Sequence, residues 1–144
     1  MADAVTSQKL FDGERLAIMK FTNVSDGGGE SGVLKVDVSA LNPSASGGAC
    51  DGVTITKIFA ATGGMAVNIQ WDATADVTAF VVPVDAAYVY DFSQNGGLVN
   101  NAGAGKTGDI NFTTIGASAG DTYTIELEMV KHYVQPTNYV LPSP

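Results

Sequence analysis

The segment 122–130, T-Y-T-I-E-L-E-M-V, decides the fold class of this chain. Apolar and polar residues alternate strictly along it, and the apolar set is Tyr123, Ile125, Leu127 and Met129. A period of two places these four side chains on one face of a β-strand, with the threonine and the glutamates on the other face. The segment therefore predicts a strand that has one face in a core and the other in solvent.

Similar short segments, separated by glycine-rich turns, recur along the chain, and none has a convincing helical period. The 17 glycines, many in turn sequences such as Asn95-Gly96-Gly97, fit short strands joined by tight turns. The pattern predicts an all-β fold of about eight antiparallel strands in a two-sheet, jelly-roll-like sandwich, with an irregular barrel as the alternative. The candidate strands are residues 15–21, 33–38, 53–59, 65–71, 78–82, 87–92, 109–114 and 121–131.

A length of 144 residues predicts one domain with a single core. We expect the sandwich to span residues 11–133, after an extended N-terminal arm at residues 1–10. Residues 98–107 have the composition of a flexible loop. Residues 134–144, V-Q-P-T-N-Y-V-L-P-S-P, contain three prolines and have no period, which predicts an extended C-terminal tail.

The charge of the chain argues against two classes of partner. Fifteen acidic residues against seven basic ones give a net charge of −8 and a pI near 4.2. Nucleic acids and anionic membranes both require a basic face, so we expect neither as a partner. The single Cys50 cannot form an internal disulfide, and residues 1–10 have no apolar signal core, so we expect synthesis in a cytoplasm.

The sequence Gly105-Lys106-Thr107 has the end of a phosphate-binding loop but not its context. Such a loop needs a glycine five residues before the last one, where this chain has Asn100, and it must open a helix. Residues 108–114 predict a turn and a strand instead. We therefore interpret this segment as a structural loop and expect no nucleotide cofactor.

No other group of residues predicts catalysis or a metal. Asp26 and Glu30 lie in a glycine-rich segment but lack the spacing of a calcium loop. His132 is the single histidine, and we interpret it as a partly exposed residue at a strand end. Glu126 and Glu128 share a strand face, which we interpret as a polar outer face. The prediction is a protein that is not an enzyme and has no cofactor.

Four segments are similar to small virion structural proteins of tailed bacteriophages, including phages of marine bacteria and cyanobacteria. They are D-G-E-R-L-A-I-M-K-F-T-N-V-S-D-G at 12–27, V-L-K-V-D-V-S-A-L at 33–41, W-D-A-T at 71–74, and G-A-G-K-T-G-D-I-N-F-T-T-I-G-A-S-A-G-D-T-Y-T-I-E-L-E-M-V-K at 103–131. The resemblance spans residues 6–131 and implies a head decoration, or cement, protein. Such a protein would bind the major capsid protein on the outside of the head, often as a trimer, after assembly in the host cytoplasm. No site residue follows from this resemblance.

The termini and the 98–107 loop are the segments that we expect to contact partners, because mobile segments at the ends of elements often bind. The predicted contact residues are Lys9, Leu10, Asn100, Asn101, Lys106, Tyr133, Pro136, Tyr139 and Leu141. Two alternatives remain open: a tail or head–tail connector subunit, and a module that binds host polysaccharide. The second would use an aromatic platform formed by Trp71, Tyr88, Tyr90 and Phe92, although core packing of Trp71 is favoured.

Deleting residues 134–144 should weaken binding to capsids or to other copies of the chain and leave the fold intact, because this tail is expected to lie outside the core. Occupancy on purified capsids and the far-UV circular dichroism spectrum measure the two effects. Unchanged occupancy would exclude the tail as a contact.

Overall fold

The computed structural model describes residues 3–134 and is all-β in that range. Two short 3-10 turns, Val38–Ala40 and Ser93–Asn95, are its helical elements, and no helix in this range is long and apolar enough to cross a membrane. The strands are β1 Ala4–Asp12, β2 Leu16–Val24, β3 Val33–Val36, β4 Cys50–Gly63, β5 Ala66–Trp71, β6 Val77–Val82, β7 Ala87–Asp91, β8 Ile110–Ile115 and β9 Thr122–Tyr133.

The strands form two antiparallel sheets, which confirms the predicted sandwich. One sheet has the order β1-β2-β9-β4-β7, and the other has the order β3-β8-β5-β6. The pairs are nested, because β2 pairs with β9, β3 with β8, β4 with β7 and β5 with β6. This nesting resembles the winding of a jelly roll, in which a long antiparallel ribbon is folded into two sheets.

All eight predicted strands are present, with bounds that differ by a few residues; the ninth strand is β1. Residues 1–10 were predicted as an arm, but Ala4–Asp12 pairs with β2 along the edge of the five-stranded sheet. The side chains of β1 are exposed on both faces of the strand. A strand that buries neither face needs no apolar alternation, and the sequence T-S-Q-K at residues 6–9 has none. Hydrogen bonding to a neighbour, rather than burial, makes this segment a strand.

The core lies between the inner faces of the two sheets. Its largest buried side chains are Trp71, Tyr123, Phe21 and Phe112. The Phe112 ring, on β8, contacts Phe21 and Tyr123 of the opposite sheet edge-on, at centroid distances of 5.3 and 5.7 Å. Edge-to-face packing of this kind adds to the burial term. Phe112 therefore packs across the interface between the two sheets.

Replacing Phe112 with alanine should lower the free energy of unfolding by about 3–5 kcal/mol, because it removes a buried ring and leaves a cavity between the sheets. Phe59→Ala is the matched control, since Phe59 is 41% exposed on the outer face of β4 and should cost far less. Urea denaturation followed by tryptophan fluorescence measures both variants. Equal losses in the two variants would contradict this account of the core.

Candidate functional site

The predicted contact residues Lys9 and Leu10 lie on edge strand β1. Lys9 Nζ donates to the carbonyl of Ala40 at 3.2 Å and lies 3.7 Å from a carboxylate oxygen of Asp12. Leu10 is 45% exposed, and the register with β2 shifts between Lys9 and Phe11. Lys9 therefore ties the edge strand to the loop after β3, while Leu10 remains available to a partner.

Asn100 and Lys106 meet at a second place, on the loop between β7 and β8. Both line a surface pocket beside β4, and His132 of β9 lines the same pocket. Asn101 is exposed on the same loop and does not line this pocket. The Asn100 side chain accepts a hydrogen bond from the backbone N–H of Ala102 at 2.9 Å, which holds its own turn. The loop thus contains at least one turn that is held by its own side chain.

Tyr133 lies at the end of β9 and is used internally. Its hydroxyl donates to the carbonyl of Glu14, and its ring centroid is 5.5 Å from Lys131 Nζ. These contacts tie β9 to the turn between β1 and β2. The predicted contacts Pro136, Tyr139 and Leu141 lie outside the described residues. Among the described residues, the predicted contacts thus lie on β1, on the loop between β7 and β8, and at the end of β9.

The loop at Gly105-Lys106-Thr107 is structural. Gly105 has a φ of +77°, and an added Cβ there would meet the Thr74 side chain at 2.0 Å. The Thr107 hydroxyl donates to a carboxylate oxygen of Asp72 at 2.7 Å, a group that would repel phosphate. A strand follows rather than a helix, so no helix N-terminus faces the loop.

The His132 ring hydrogen-bonds the Thr54 hydroxyl at 2.7 Å on the exposed side of β9. Within residues 3–134, no three side chains of the His, Cys, Asp or Glu type gather closely enough to hold a metal ion. The thiol of Cys50 is buried, which raises its pKa and disfavours the reactive thiolate.

The predicted aromatic platform is divided between the core and one open side of the sandwich. Trp71 is buried in the core. Tyr90 and Phe92 pack on Phe80 of the other sheet, at centroid distances of 4.8 and 5.5 Å. Tyr88 extends from this group and is 64% exposed. These aromatics cover the gap between strands β6 and β7.

The feature that the sequence did not reveal is the edge formed by β1. Eight of its nine residues are exposed, and among the described residues only β2 pairs with it. Phe11 is paired with Ile18 of β2. Ile18 lies between the buried residues Ala17 and Met19, so Ile18 and Phe11 lie on the outer face of the sheet. Strand β1 contains no proline, and Lys9 is its one positively charged residue. Natural edges usually have blocking devices such as prolines, lysines and bulges, and here Lys9 and the register shift beside Leu10 are of this kind. Residues 4–8 have none of them, so this stretch of the edge is open to a further strand.

A buried ion pair fixes the end of β1. Lys131 Nζ, which is fully buried, lies 2.6 Å from Asp12 and also donates to the carbonyls of Gly13 and Asn42. Burial favours the neutral acid, but hydrogen bonds from Lys131 and from the Asn42 backbone hold the pKa of Asp12 below its ordinary value. Burial also favours the neutral amine, yet Asp12 raises the pKa of Lys131.

No family model matches this chain, and no curated protein matches it either.

Asp12→Asn should lower the free energy of unfolding at pH 7 by about 3–5 kcal/mol, because Lys131 would keep a buried charge without its partner. A carboxyl whose pKa is lower in the folded state than in the unfolded state stabilises the fold at pH values above its unfolded pKa, which is about 3.9 for Asp. This stabilisation is lost as the pH falls through the folded pKa. The variant should therefore lose less stability than the wild type as the pH falls from about 5 to about 2, the range over which such a carboxyl titrates.

Urea denaturation across that pH range measures both effects. Asp51→Asn is the control, since Asp51 is exposed and its carboxylate forms none of the described hydrogen bonds. An acid dependence of Asp12→Asn identical to that of the wild type would show that this carboxyl does not titrate on unfolding.

Proposed function

We propose that this protein is a non-enzymatic virion structural subunit, most simply a decoration protein that binds the outside of a phage head. The proposed partners are the major capsid protein and further copies of the chain, with a trimer favoured. Its proposed location is the capsid surface, after assembly in the host cytoplasm. The virion assignment rests on the resemblance of residues 6–131 to phage virion proteins.

The observation that carries the binding role is the open edge at β1. A nine-residue strand with unpaired backbone groups on one side offers hydrogen bonds to an added strand. Leu10 and Phe11 supply exposed apolar area beside it. A capsid protein or a second copy that contributes one strand would satisfy the backbone and cover these side chains. Exposed apolar residues that lie together favour interaction surfaces of this kind.

A polysaccharide-binding module is the second candidate, and the exposed ring of Tyr88 beside Tyr90 favours it. Their centroids are 5.1 Å apart at an open side of the sandwich. Aromatic faces stack on sugar rings, but a stacking platform needs accessible rings, and Tyr90 is half-buried against Phe80. A tail or connector subunit remains the alternative within the virion, and the location of the protein distinguishes it.

Cryo-electron microscopy of the purified virion of the source phage tests the assignment. Density for this chain outside the shell, at symmetry axes or capsomer seams, is expected. Density only at the portal vertex or in the tail would establish the connector or tail alternative. Absence from the particle would overturn the virion assignment.

The double variant Gln8→Lys with Leu10→Lys should bind at least about tenfold more weakly to heads that lack this protein, equivalent to about 1.4 kcal/mol. Two added charges disfavour strand addition and the burial of this edge. Co-sedimentation with heads measures the affinity, and circular dichroism checks the fold. Thr78→Lys with Val81→Lys is the control, since it adds the same charge to exposed positions of edge strand β6. Equal binding by the two double variants would exclude the β1 edge as the contact.

A further inference from the structure

A lysine, a glutamate and an asparagine meet inside the sandwich where β2 and β3 approach each other. Asn23 is on β2 in the five-stranded sheet, Lys35 is on β3 in the four-stranded sheet, and Glu30 lies in the segment between them. Asn23 is 1% exposed, and the Lys35 and Glu30 side chains are 2% and 5% exposed. The three groups therefore share one site from which water is largely excluded.

The Glu30 carboxylate contacts both other groups, with one oxygen for each. Its Oε2 accepts a hydrogen bond from Lys35 Nζ at 2.6 Å, and its Oε1 accepts from Asn23 Nδ2 at 3.1 Å. The Tyr123 hydroxyl also donates to Oε1, at 2.7 Å. Burial raises the pKa of Tyr123 well above its ordinary value, so this phenol remains a donor. One carboxylate is thus positioned to exchange protons with an amine and an amide.

Aromatic rings form the walls of this site. Lys35 Nζ lies 5.9 Å from the ring centroids of both Phe112 and Tyr123. Two buried ionic groups carry a large desolvation cost in such surroundings. Moving one proton from the ammonium to the carboxylate would replace two buried charges with none. The product is a neutral amine, which is a nucleophile, beside a carboxylic acid, which can return the proton.

The Asn23 amide is not used as a structural amide would be. Its carbonyl oxygen Oδ1 is buried and accepts no hydrogen bond from the described residues. Buried amide oxygens are normally paired, because an unpaired one costs free energy. The amide is therefore held through Nδ2, which donates to the carboxylates of Glu30 and Asp3. A protonated Glu30 beside Nδ2 could give its proton to this nitrogen as it leaves.

We propose that Lys35 and Asn23 join in an intramolecular isopeptide bond, with Glu30 as the proton relay. Lys35 gives one proton to Glu30, and its Nζ attacks Cγ of Asn23 to form the new carbon–nitrogen bond. Glu30 then gives this proton to Nδ2 and accepts the second proton of the attacking nitrogen, so that Glu30 ends protonated. The bond between Cγ and Nδ2 breaks, and ammonia leaves with the proton balance closed. No oxidant or cofactor is required.

The reach of the two partners is compatible with this reaction. Attack requires Nζ and Cγ to approach to about 3–3.5 Å. Both groups already contact one carboxylate, and the flexible four-carbon side chain of Lys35 can move its amine from Oε2 toward the amide. Asp3 accepts a second hydrogen bond from Asn23 Nδ2 at 3.2 Å. The backbone N–H of Asp26 lowers the pKa of Asp3, so a charged acceptor holds the leaving nitrogen.

The bond would link the two sheets covalently through β2 and β3. It would also close residues 23–35 into a ring and convert a costly buried ion pair into a neutral amide. Opening the sandwich at this end would then require breaking a covalent bond. This inference is independent of the proposed function, because it concerns the folded chain alone.

Mass spectrometry of the purified wild-type chain tests the proposal directly. The intact mass is expected to be lower than the sequence mass by one ammonia, after allowance for any loss of Met1. Trypsin cleaves after Lys20, Lys35 and Lys57 in an unlinked chain. A linked Lys35 resists cleavage, so peptide 21–57 should appear with one ammonia missing, and fragment ions between Asn23 and Lys35 should be absent. Release of peptide 21–35 at its full mass would overturn the proposal.

Two comparisons make the test specific. Succinimide formation at Asn95-Gly96 also releases ammonia, but it falls in a different tryptic peptide and leaves peptide 21–35 intact. Glu30→Gln removes the proton relay and should restore both peptide 21–35 and the full mass. The matched control Glu128→Gln, on the outer face of β9, should retain the ammonia loss. A Glu30→Gln chain that is still linked would overturn the assigned role of Glu30, whereas the wild-type map decides the bond even if this variant fails to fold.

Discussion

The pairing of β9 between β2 and β4 is the constraint on which the rest of the fold depends. β9 aligns with nine residues of β2 on one side and with nearly the whole of β4 on the other. Its buried side chains Tyr123, Ile125, Leu127 and Met129 face the second sheet, where Phe112 and Trp71 complete the core. Backbone pairing and side-chain burial therefore act on the same strand, and a shift in register by one residue would expose its entire apolar face.

The two buried lysines lie toward opposite ends of the apolar stripe of β9. Lys131 belongs to β9 itself and pairs with Asp12, beside the turn between β1 and β2. Lys35 pairs with Glu30 next to Tyr123, near the other end of that strand. Buried ion pairs contribute little net stability but are costly to break. They fix where the connecting segments meet the sandwich, and the Glu30 carboxylate that pairs with Lys35 also contacts Asn23.

The exposed surface has a different organisation on the two sides of the sandwich. On one side, β6 and β7 are bridged by the Phe80, Tyr90 and Phe92 rings. On the other side, β1 extends as an edge without proline and with exposed apolar residues. An unpaired sheet edge is a site at which a further strand can pair. The proposed decoration role uses this asymmetry, because it assigns the open edge to the capsid contact.

The sequence by itself determined the all-β class, the approximate position of eight strands and the burial of Trp71. The reason is that the alternation of apolar and polar residues, which indicates a half-buried strand, can be recognised within each short segment. It did not predict β1, whose residues bury neither face and are held by pairing with β2. It also gave no sign that Asn23, Glu30 and Lys35 meet, since no local pattern links the three residues and Glu30 lacks the spacing of a calcium loop with Asp26. Only the tertiary structure decided this contact, because bringing β3 over β2 requires the two sheets to pack face to face.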